Sequence, residues 1–216
     1  MKRNYELIVF DLDGTLMDSE AKILRCLAAA AADLGLADPG AGASRNIIGL
    51  GMEEALTILF PDLTVALREQ FLARFREHYL YLDKAHPDFF PGVLHGLAEL
   101  AQAGRLLAIA TGRPRRGLDR VLRAAGLDAL FVATRCADES TSKPHPRMLE
   151  EILAKTEIER QRAIMVGDTI YDLQMARRAG VDALAVSYGA HERERLLEEG
   201  PMGCLDSFSD VCAWLR

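Results

Sequence analysis

Five short apolar runs recur along the chain, and helical patterns separate most of them. The runs have the length of strands and cover Leu7–Phe10, Leu106–Ala110, Leu130–Ala133, Ala163–Val166 and Ala183–Val186. In the intervals, apolar residues recur at helical spacing, and Gly104, Gly126 and Gly180 mark predicted helix ends. Strands that alternate with helices favour parallel pairing through right-handed crossovers. We therefore expect an α/β fold, a parallel sheet core with helices on both faces.

One long segment, residues 17–84, interrupts this alternation because it contains helical patterns and no convincing strand. The predicted helices run from Ser19, as N-cap, to Leu34, over Met52–Phe60, and onwards from about Asp62. A helical insertion beside a site commonly acts as a lid. We predict a core domain formed by residues 1–16 and 85–216, and an inserted helical domain formed by residues 17–84.

Composition and charge narrow the class of protein. Half of the 216 residues are apolar and 27% are charged, which predicts a packed core rather than disorder. The net charge of -6, without a basic cluster, makes nucleic acid and anionic membranes poor partners. No apolar segment approaches the length of a membrane span, and the N-terminal residues lack a signal-peptide pattern. The four cysteines have no metal-site or CxxC spacing. We expect a cytoplasmic protein.

Two carboxylates, Asp11 and Asp13, directly follow the first predicted strand. Side chains two residues apart in an extended segment point to the same side. Two acids that close repel each other unless one is protonated or a cation lies between them. An acidic turn at a strand end would also explain the pattern. Asp11 and Asp13 alone therefore indicate a functional site but do not identify its chemistry.

Polar residues follow other predicted strands as well. Thr111, Gly112 and Arg113 follow the second strand, Gly167, Asp168 and Asp172 follow the fourth, and Lys143 opens a helix between the third and the fourth. Each is common in loops when taken singly, but ligands of an open parallel sheet bind beyond the carboxyl ends of its strands. Carboxylates suit Mg²⁺, and a hydroxyl, backbone N–H groups and a lysine suit phosphate. Together they predict phosphoryl-transfer chemistry.

Four motifs in order make the chain resemble the haloacid dehalogenase superfamily of phosphatases over essentially its whole length. They are Asp11-Leu12-Asp13-Gly14-Thr15, Thr111-Gly112, Lys143-Pro144 and Gly167-Asp168-Thr169-Ile170-Tyr171-Asp172. The chain looks most like the phosphoglycolate phosphatase-like branch, in which a cap is inserted after the first motif. The resemblance implies a Rossmann-like core, an all-α cap of the C1 type, and Mg²⁺-dependent hydrolysis of small phosphomonoesters.

The resemblance also implies a role for each motif residue. Asp11 would attack phosphorus and form an aspartyl-phosphate, and Asp13 would protonate the leaving oxygen and then activate water. Asp11, the backbone carbonyl of Asp13, and Asp168 would hold Mg²⁺. Lys143 would hold Asp11 and the phosphate in position. Asp172 would pair with Lys143 and would not bind the metal directly.

The phosphate oxygens would be bound by Thr111 and by the Gly112 amide. Arg113 is less defined, because it could contact substrate or belong to a solvated basic helix start with Arg115 and Arg116. This assignment completes the phosphate-binding set of Thr111, Gly112, Arg113 and Lys143.

Substrate specificity is expected in the cap, where the sequence is less informative. Gly49 and Gly51 fit a loop that approaches the site closely, and a surface turn would explain them equally well. Arg45 and Asn46 are expected in the same loop-rich part. His78 and Tyr79, together on a predicted helix, are interpreted as packing or solvated residues.

Several alternative functions stay open at this point. A dehalogenase would not need Asp13 or the Gly167-Asp168 site, whereas a phosphomutase, a pyrophosphatase or a nucleotidase of the same superfamily would share them. A receiver-like phospho-acceptor switch is a different class. It would place its acceptor after the third strand, where this sequence has Thr134 and Arg135. The expected partner is a small phosphorylated metabolite, and the chain is expected to be a monomer or a homodimer.

Overall fold

The computed structural model describes residues 4–84 and 88–216. Its centre is a six-stranded parallel sheet of order β3-β2-β1-β4-β5-β6. The strands are β1 Leu7–Phe10, β2 Leu106–Thr111, β3 Phe131–Cys136, β4 Ala163–Gly167, β5 Asp182–Val186 and β6 Cys204–Leu205. This arrangement confirms the predicted α/β fold. β1 lies at the centre, between β2 and β4, so the residues after all three strands lie at one edge.

Helices cover both faces of the sheet. They are α5 Val93–Gln102, α6 Arg115–Ala125, α7 Arg147–Thr156, α8 Ile170–Ala179, α9 Arg193–Leu197 and α10 Phe208–Leu215. Alternate side chains of β1 point to opposite faces. Ile8 and Phe10 pack in a cluster with α5, α6 and α10, and Leu7 and Val9 pack with α7 and α8.

Between β1 and α5, the described residues 17–84 form a segment that is largely helical. It contains α1 Glu20–Asp33, α2 Gly40–Asn46, α3 Met52–Leu59, α4 Val65–Glu77 and a π-helical turn, His78–Leu82. We call this segment the insertion. Its own apolar cluster includes Leu27, Leu56 and Phe71, and Tyr171 of α8 inserts into that cluster from the core.

The two ends of the insertion lie side by side. Met17 forms a bridge with Phe89, and the Asp18 amide donates to the carbonyl of Asp88 at 2.9 Å. The predicted start of the second core segment at residue 85 lies outside the described residues, as do residues 1–3. The division into two domains stays a prediction. Within the described residues, no helix is both long and apolar enough to cross a bilayer.

The third strand was predicted at the right place but ends later than expected, because β3 extends to Cys136 and includes Thr134 and Arg135. β3 is an edge strand, and such strands carry more polar residues than central ones. Their polar groups have partners: Arg115 Nη1 donates to Thr134 Oγ1 at 2.9 Å, and Arg135 Nε donates to Glu151 Oε2 at 2.8 Å. Thr134 and Arg135, which were expected after the third strand at the acceptor position of a receiver, therefore lie within that strand.

Two further elements differ from the sequence prediction. Arg45 and Asn46 belong to α2 rather than to a loop, although the helix is rich in glycine. Asp38 Oδ1 accepts from the Gly40 amide at 2.8 Å and satisfies a donor at the helix start, where side-chain oxygens favour helix formation. The two-residue strand β6 is too short to give a periodic pattern.

Candidate active site

Asp11 is fully buried at the end of β1. Its Oδ1 contacts Lys143 Nζ, and its Oδ2 has no hydrogen-bond partner among the described residues. Burial raises the pKa of Asp11, and the attraction of Lys143 opposes that rise. One oxygen is therefore fixed and the other is free to accept a ligand or to act as a nucleophile.

Lys143 lies between two carboxylates in the interior. Its Nζ is 2.7 Å from Asp172 Oδ1 and contacts Asp11 on the other side. Burial lowers the pKa of the ammonium group, but the two carboxylates outweigh this effect and hold the pKa above its ordinary value. The structure thus brings Lys143, Asp11 and Asp172 together, in the pairing that the sequence predicted for Lys143 and Asp172.

Asp172 is fixed by the start of α8. Its Oδ2 accepts from the Thr169 amide at 3.2 Å, which is one half of a capping box at the helix start. The same Oδ2 also accepts from Thr169 Oγ1 at 2.7 Å. The capping contacts use Oδ2 and leave Oδ1 directed at Lys143. A local helix signal therefore also orients a residue of the site.

Asp168, after β4, has both oxygens hydrogen-bonded. Thr15 Oγ1 donates to Oδ1 and the Ala190 amide donates to Oδ2, each at 2.8 Å. The pKa of Asp168 is raised to about 7, mainly by burial and next by the negative charge of the nearby Asp172. A Cβ at Gly14 would lie 2.1 Å from Asp168 Oδ2, and Gly14 has a φ of +89°, so only glycine fits this turn.

Oxygens of Asp11, Asp168 and Asp172 lie within 4.8 Å of one another. Three carboxylates with one ammonium group leave an excess of negative charge, and a free carboxylate oxygen of Asp11 is among them. This donor set fits a hard divalent cation. The side chain of Asp13 is directed elsewhere, and binding through its backbone carbonyl stays a prediction.

Asp13 is paired with Arg113. Arg113 Nε donates to Asp13 Oδ2 at 2.6 Å, and Nη2 contacts Oδ1. Burial would raise the pKa of Asp13, but the charge and hydrogen bonds of Arg113 and a hydrogen bond from Ser19 outweigh it, so the pKa is lowered. The Arg113 side chain is only 11% exposed, so the interpretation as a solvated helix start is wrong.

Ser19 and Tyr79 are contacts of this pair that sequence reasoning missed. Ser19 directly precedes α1, but its hydroxyl does not cap the helix as predicted, because it donates to Asp13 Oδ1 instead. Tyr79 Oη accepts from Arg113 Nη2 at 2.8 Å. A serine before a helix usually indicates a cap, so the contact of Ser19 with Asp13 was not expected. Nothing in the sequence pattern around Tyr79 indicates a contact with the site.

Thr111 and Gly112 lie at the end of β2, where the insertion covers them. Thr111 Oγ1 accepts from the Arg113 amide at 3.1 Å. A Cβ at Gly112 would lie 2.4 Å from the carbonyl oxygen of Leu50, so the insertion backbone passes directly over this glycine. The Gly51 amide donates to Ser142 Oγ at 2.8 Å, which joins the insertion to the loop that carries Lys143. The loop around Gly51 therefore approaches the site closely.

Comparison with known proteins places this geometry in a family. The family model for haloacid dehalogenase-like hydrolases matches residues 8–186. The probable phosphatase IndB of Dickeya dadantii (strain 3937) is 37% identical over 95% of this chain and 91% of its own length. A phosphoglycolate phosphatase of Colwellia psychrerythraea (strain 34H) is 29% identical over 98% and 97%.

A solved structure shows the same fold. The crystal structure of a predicted phosphoglycolate phosphatase from Haemophilus somnus 129pt superposes with a TM-score of 0.89, covers 99% of each chain and is 24% identical. The fold, the family match and the relatives agree with the four motifs. The chain belongs to the haloacid dehalogenase-like hydrolase family, and it is a phosphatase.

Proposed function

We propose that the chain is a Mg²⁺-dependent phosphatase that hydrolyses small phosphomonoesters through an aspartyl-phosphate. The observation that carries this proposal is the state of Asp11, whose Oδ1 is held by Lys143 and whose Oδ2 has no described partner. A nucleophile needs one oriented and unoccupied oxygen, and this carboxylate has it. The aspartyl-phosphate would split one difficult displacement into two easier ones.

The positions of the neighbouring residues support the roles that we propose for them. Lys143 orients Asp11 and neutralises charge on the phosphate oxygens. The Thr111 hydroxyl and the Gly112 amide bind phosphate oxygens at the end of β2. Arg113, at the same strand end, is engaged with the Asp13 carboxylate through both Nε and Nη2. Asp13 passes a proton to the leaving oxygen in the first step and takes one from water in the second.

Asp11 and Asp168, with the backbone carbonyl of Asp13, are the proposed holders of Mg²⁺. The structure also makes an oxygen of Asp172 available near them. Bound there, the ion would neutralise the charge of the phosphate. Asp172 is engaged with Lys143 and with Thr169, so we assign it to orienting Lys143 rather than to the metal.

The insertion is proposed to act as a cap that selects the leaving group. Its loop around Gly51 already lies over Gly112 and contacts Ser142. The named activity of the Colwellia relative makes phosphoglycolate the first candidate substrate. We further propose that the protein acts in the cytoplasm as a monomer or a homodimer.

The test is a phosphate-release assay with Mg²⁺ over phosphoglycolate, sugar phosphates, nucleotides and pyrophosphate. The proposal expects turnover of at least one monoester without a bisphosphate activator. Asp11→Asn is the matched control, because it keeps the shape of the side chain and removes the nucleophilic oxygen. Release that the variant shares equally would contradict the proposal. Transfer of phosphate within a sugar, with no release, would indicate a phosphomutase.

A further inference from the structure

The side chain of Asp13 is held from two directions. Arg113 binds it from the core through Nε on Oδ2 and Nη2 on Oδ1. Ser19, at the start of the insertion, donates to the same Oδ1. A carboxyl group has about four lone-pair sites, so these contacts occupy two on Oδ1 and one on Oδ2. The remaining site on Oδ2 is where Asp13 can carry the transferred proton.

Tyr79 extends this arrangement to the end of the insertion. Its hydroxyl accepts from Arg113 Nη2 at 2.8 Å, and its ring centroid lies 5.4 Å from Arg113 Cζ. Phe75 stacks against the same ring at 5.8 Å between centroids, and Lys22 Nζ lies 4.8 Å from its centroid. Because these neighbours belong to the insertion, they fix where the Tyr79 hydroxyl meets the guanidinium group.

We propose that Tyr79 and Arg113 are positioning residues that direct Asp13 Oδ2 at the leaving oxygen while the insertion lies against the core. This inference rests on the proposed function. In the step concerned, Asp11 forms a bond to phosphorus as the bond from phosphorus to the leaving oxygen breaks. The leaving oxygen keeps that electron pair and takes a proton from Asp13, and Asp13 regains a proton from the water that attacks the aspartyl-phosphate in the second step. A planar guanidinium fork fixes the plane of the carboxyl group, which a lysine ammonium group cannot do.

The alternative role of Arg113 is a direct contact with the transferred phosphate. That role would be shared by all substrates, since all carry the same phosphoryl group. Positioning Asp13 as the acid affects the first step in a way that depends on the leaving group, because only a poor leaving group needs its oxygen protonated. The effect is read from kcat/KM, which covers only the steps up to departure of the leaving group and not the second step, in which Asp13 takes a proton from water for every substrate. The two roles are therefore separated by comparing alkyl phosphates with 4-nitrophenyl phosphate.

The test measures kcat and KM for Tyr79→Phe and Arg113→Lys on both substrate types. General acid catalysis typically contributes 10²- to 10⁴-fold, so we expect kcat/KM on an alkyl phosphate to fall roughly tenfold in Tyr79→Phe and roughly a hundredfold in Arg113→Lys. On 4-nitrophenyl phosphate, kcat/KM should stay within about threefold of the wild type. Tyr81→Phe is the matched control, because Tyr81 is on the same turn and is 64% exposed.

The double variant tests whether Tyr79 acts through Arg113. If it does, Tyr79→Phe adds nothing to Arg113→Lys, and the effects are strongly non-additive. Additive effects, or equal losses of kcat/KM on both substrate types, would overturn the inference. A wild-type protein without phosphatase activity on either substrate would instead contradict the proposed function, so the two failures are distinguishable.

Discussion

Lys143 Nζ lies 2.7 Å from Asp172 Oδ1 and also contacts Asp11, so one buried ammonium group lies between two buried carboxylates. Charges in such a place are stable only when they are paired and hydrogen-bonded. The pairing explains how a helix cap on α8 and a loop before α7 come to orient a residue at the end of β1.

Replacing Lys143 should therefore affect both stability and activity. In Lys143→Met, the two carboxylates lose their shared partner, and removing one member of a buried ion pair typically costs about 3–5 kcal/mol of unfolding free energy. Phosphate release should be lost as well, because Asp11 is no longer oriented. Urea unfolding and the release assay measure the two effects. Lys155→Met, at an exposed position of α7, is the control, and equal stability of the two variants would contradict the assignment.

Asp11→Asn should separate activity from stability. The variant removes a charge whose burial is unfavourable and leaves Lys143 paired with Asp172, so we expect a melting temperature close to that of the wild type. Turnover should fall by roughly 10³-fold or more, because Asn has no nucleophilic carboxylate. Thermal unfolding and phosphate release on the same preparation test this, and turnover near the wild-type rate would show that Asp11 is not the nucleophile.

Much of the site could be predicted because its residues directly follow strands. Asp11 and Asp168 come directly after β1 and β4, and Thr111 is the last residue of β2. These strands are neighbours in the sheet, so recognising them was enough to place the three residues at one edge. The strands themselves could be recognised because a strand buried on both faces is a continuous apolar run. The end of β3 was predicted too early because, at the edge of the sheet, this strand departs from that pattern.

The contacts around Asp13 could not be predicted in this way. Tyr79 and Arg113 are 34 residues apart, and a π-helical turn brings the tyrosine hydroxyl to the guanidinium group. No hydrophobic period marks such a turn. Ser19 precedes a helix, and helix preference alone predicts a cap. The nearby carboxylate of Asp13 competes for the hydroxyl, and the Ser19 hydroxyl donates to Asp13 Oδ1 instead of capping the helix.

Metal binding should be visible as a stability change without any substrate. A cation that binds only the folded protein raises its stability in proportion to the logarithm of the cation concentration above Kd. We expect Mg²⁺ to raise the melting temperature of the wild type and EDTA to reverse it. Asp168→Asn should abolish the rise, and Asp128→Asn, on an exposed loop, should keep it. An undiminished rise in Asp168→Asn would contradict its place among the metal ligands.

Gly112→Ala should displace the loop that covers the site. Its new Cβ would lie 2.4 Å from the carbonyl oxygen of Leu50, so the insertion backbone must move. Misplacement of a positioning element by about 1 Å can cost 10²-fold, and we expect kcat/KM to fall at least roughly tenfold. At Gly117, in α6, a Cβ comes no nearer than 3.7 Å to Pro114. Gly117→Ala should therefore keep the activity, and equal kcat/KM in the two variants would show that the loop contact is unimportant.

Arg113→Gln should reduce stability in a pH-dependent way. The pKa of Asp13 is lower in the folded protein than its ordinary value, so the pair stabilises the fold above the ordinary pKa, and this contribution is lost as pH falls through the lowered one. At pH 7 the variant should lose about 3–5 kcal/mol of unfolding free energy, since it leaves a buried carboxylate without its partner. The difference from the wild type should narrow towards pH 3. Urea unfolding at several pH values measures it, with Arg116→Gln, exposed on α6, as the control. A difference that stays constant with pH would mean that the guanidinium group does not act through the charge of Asp13.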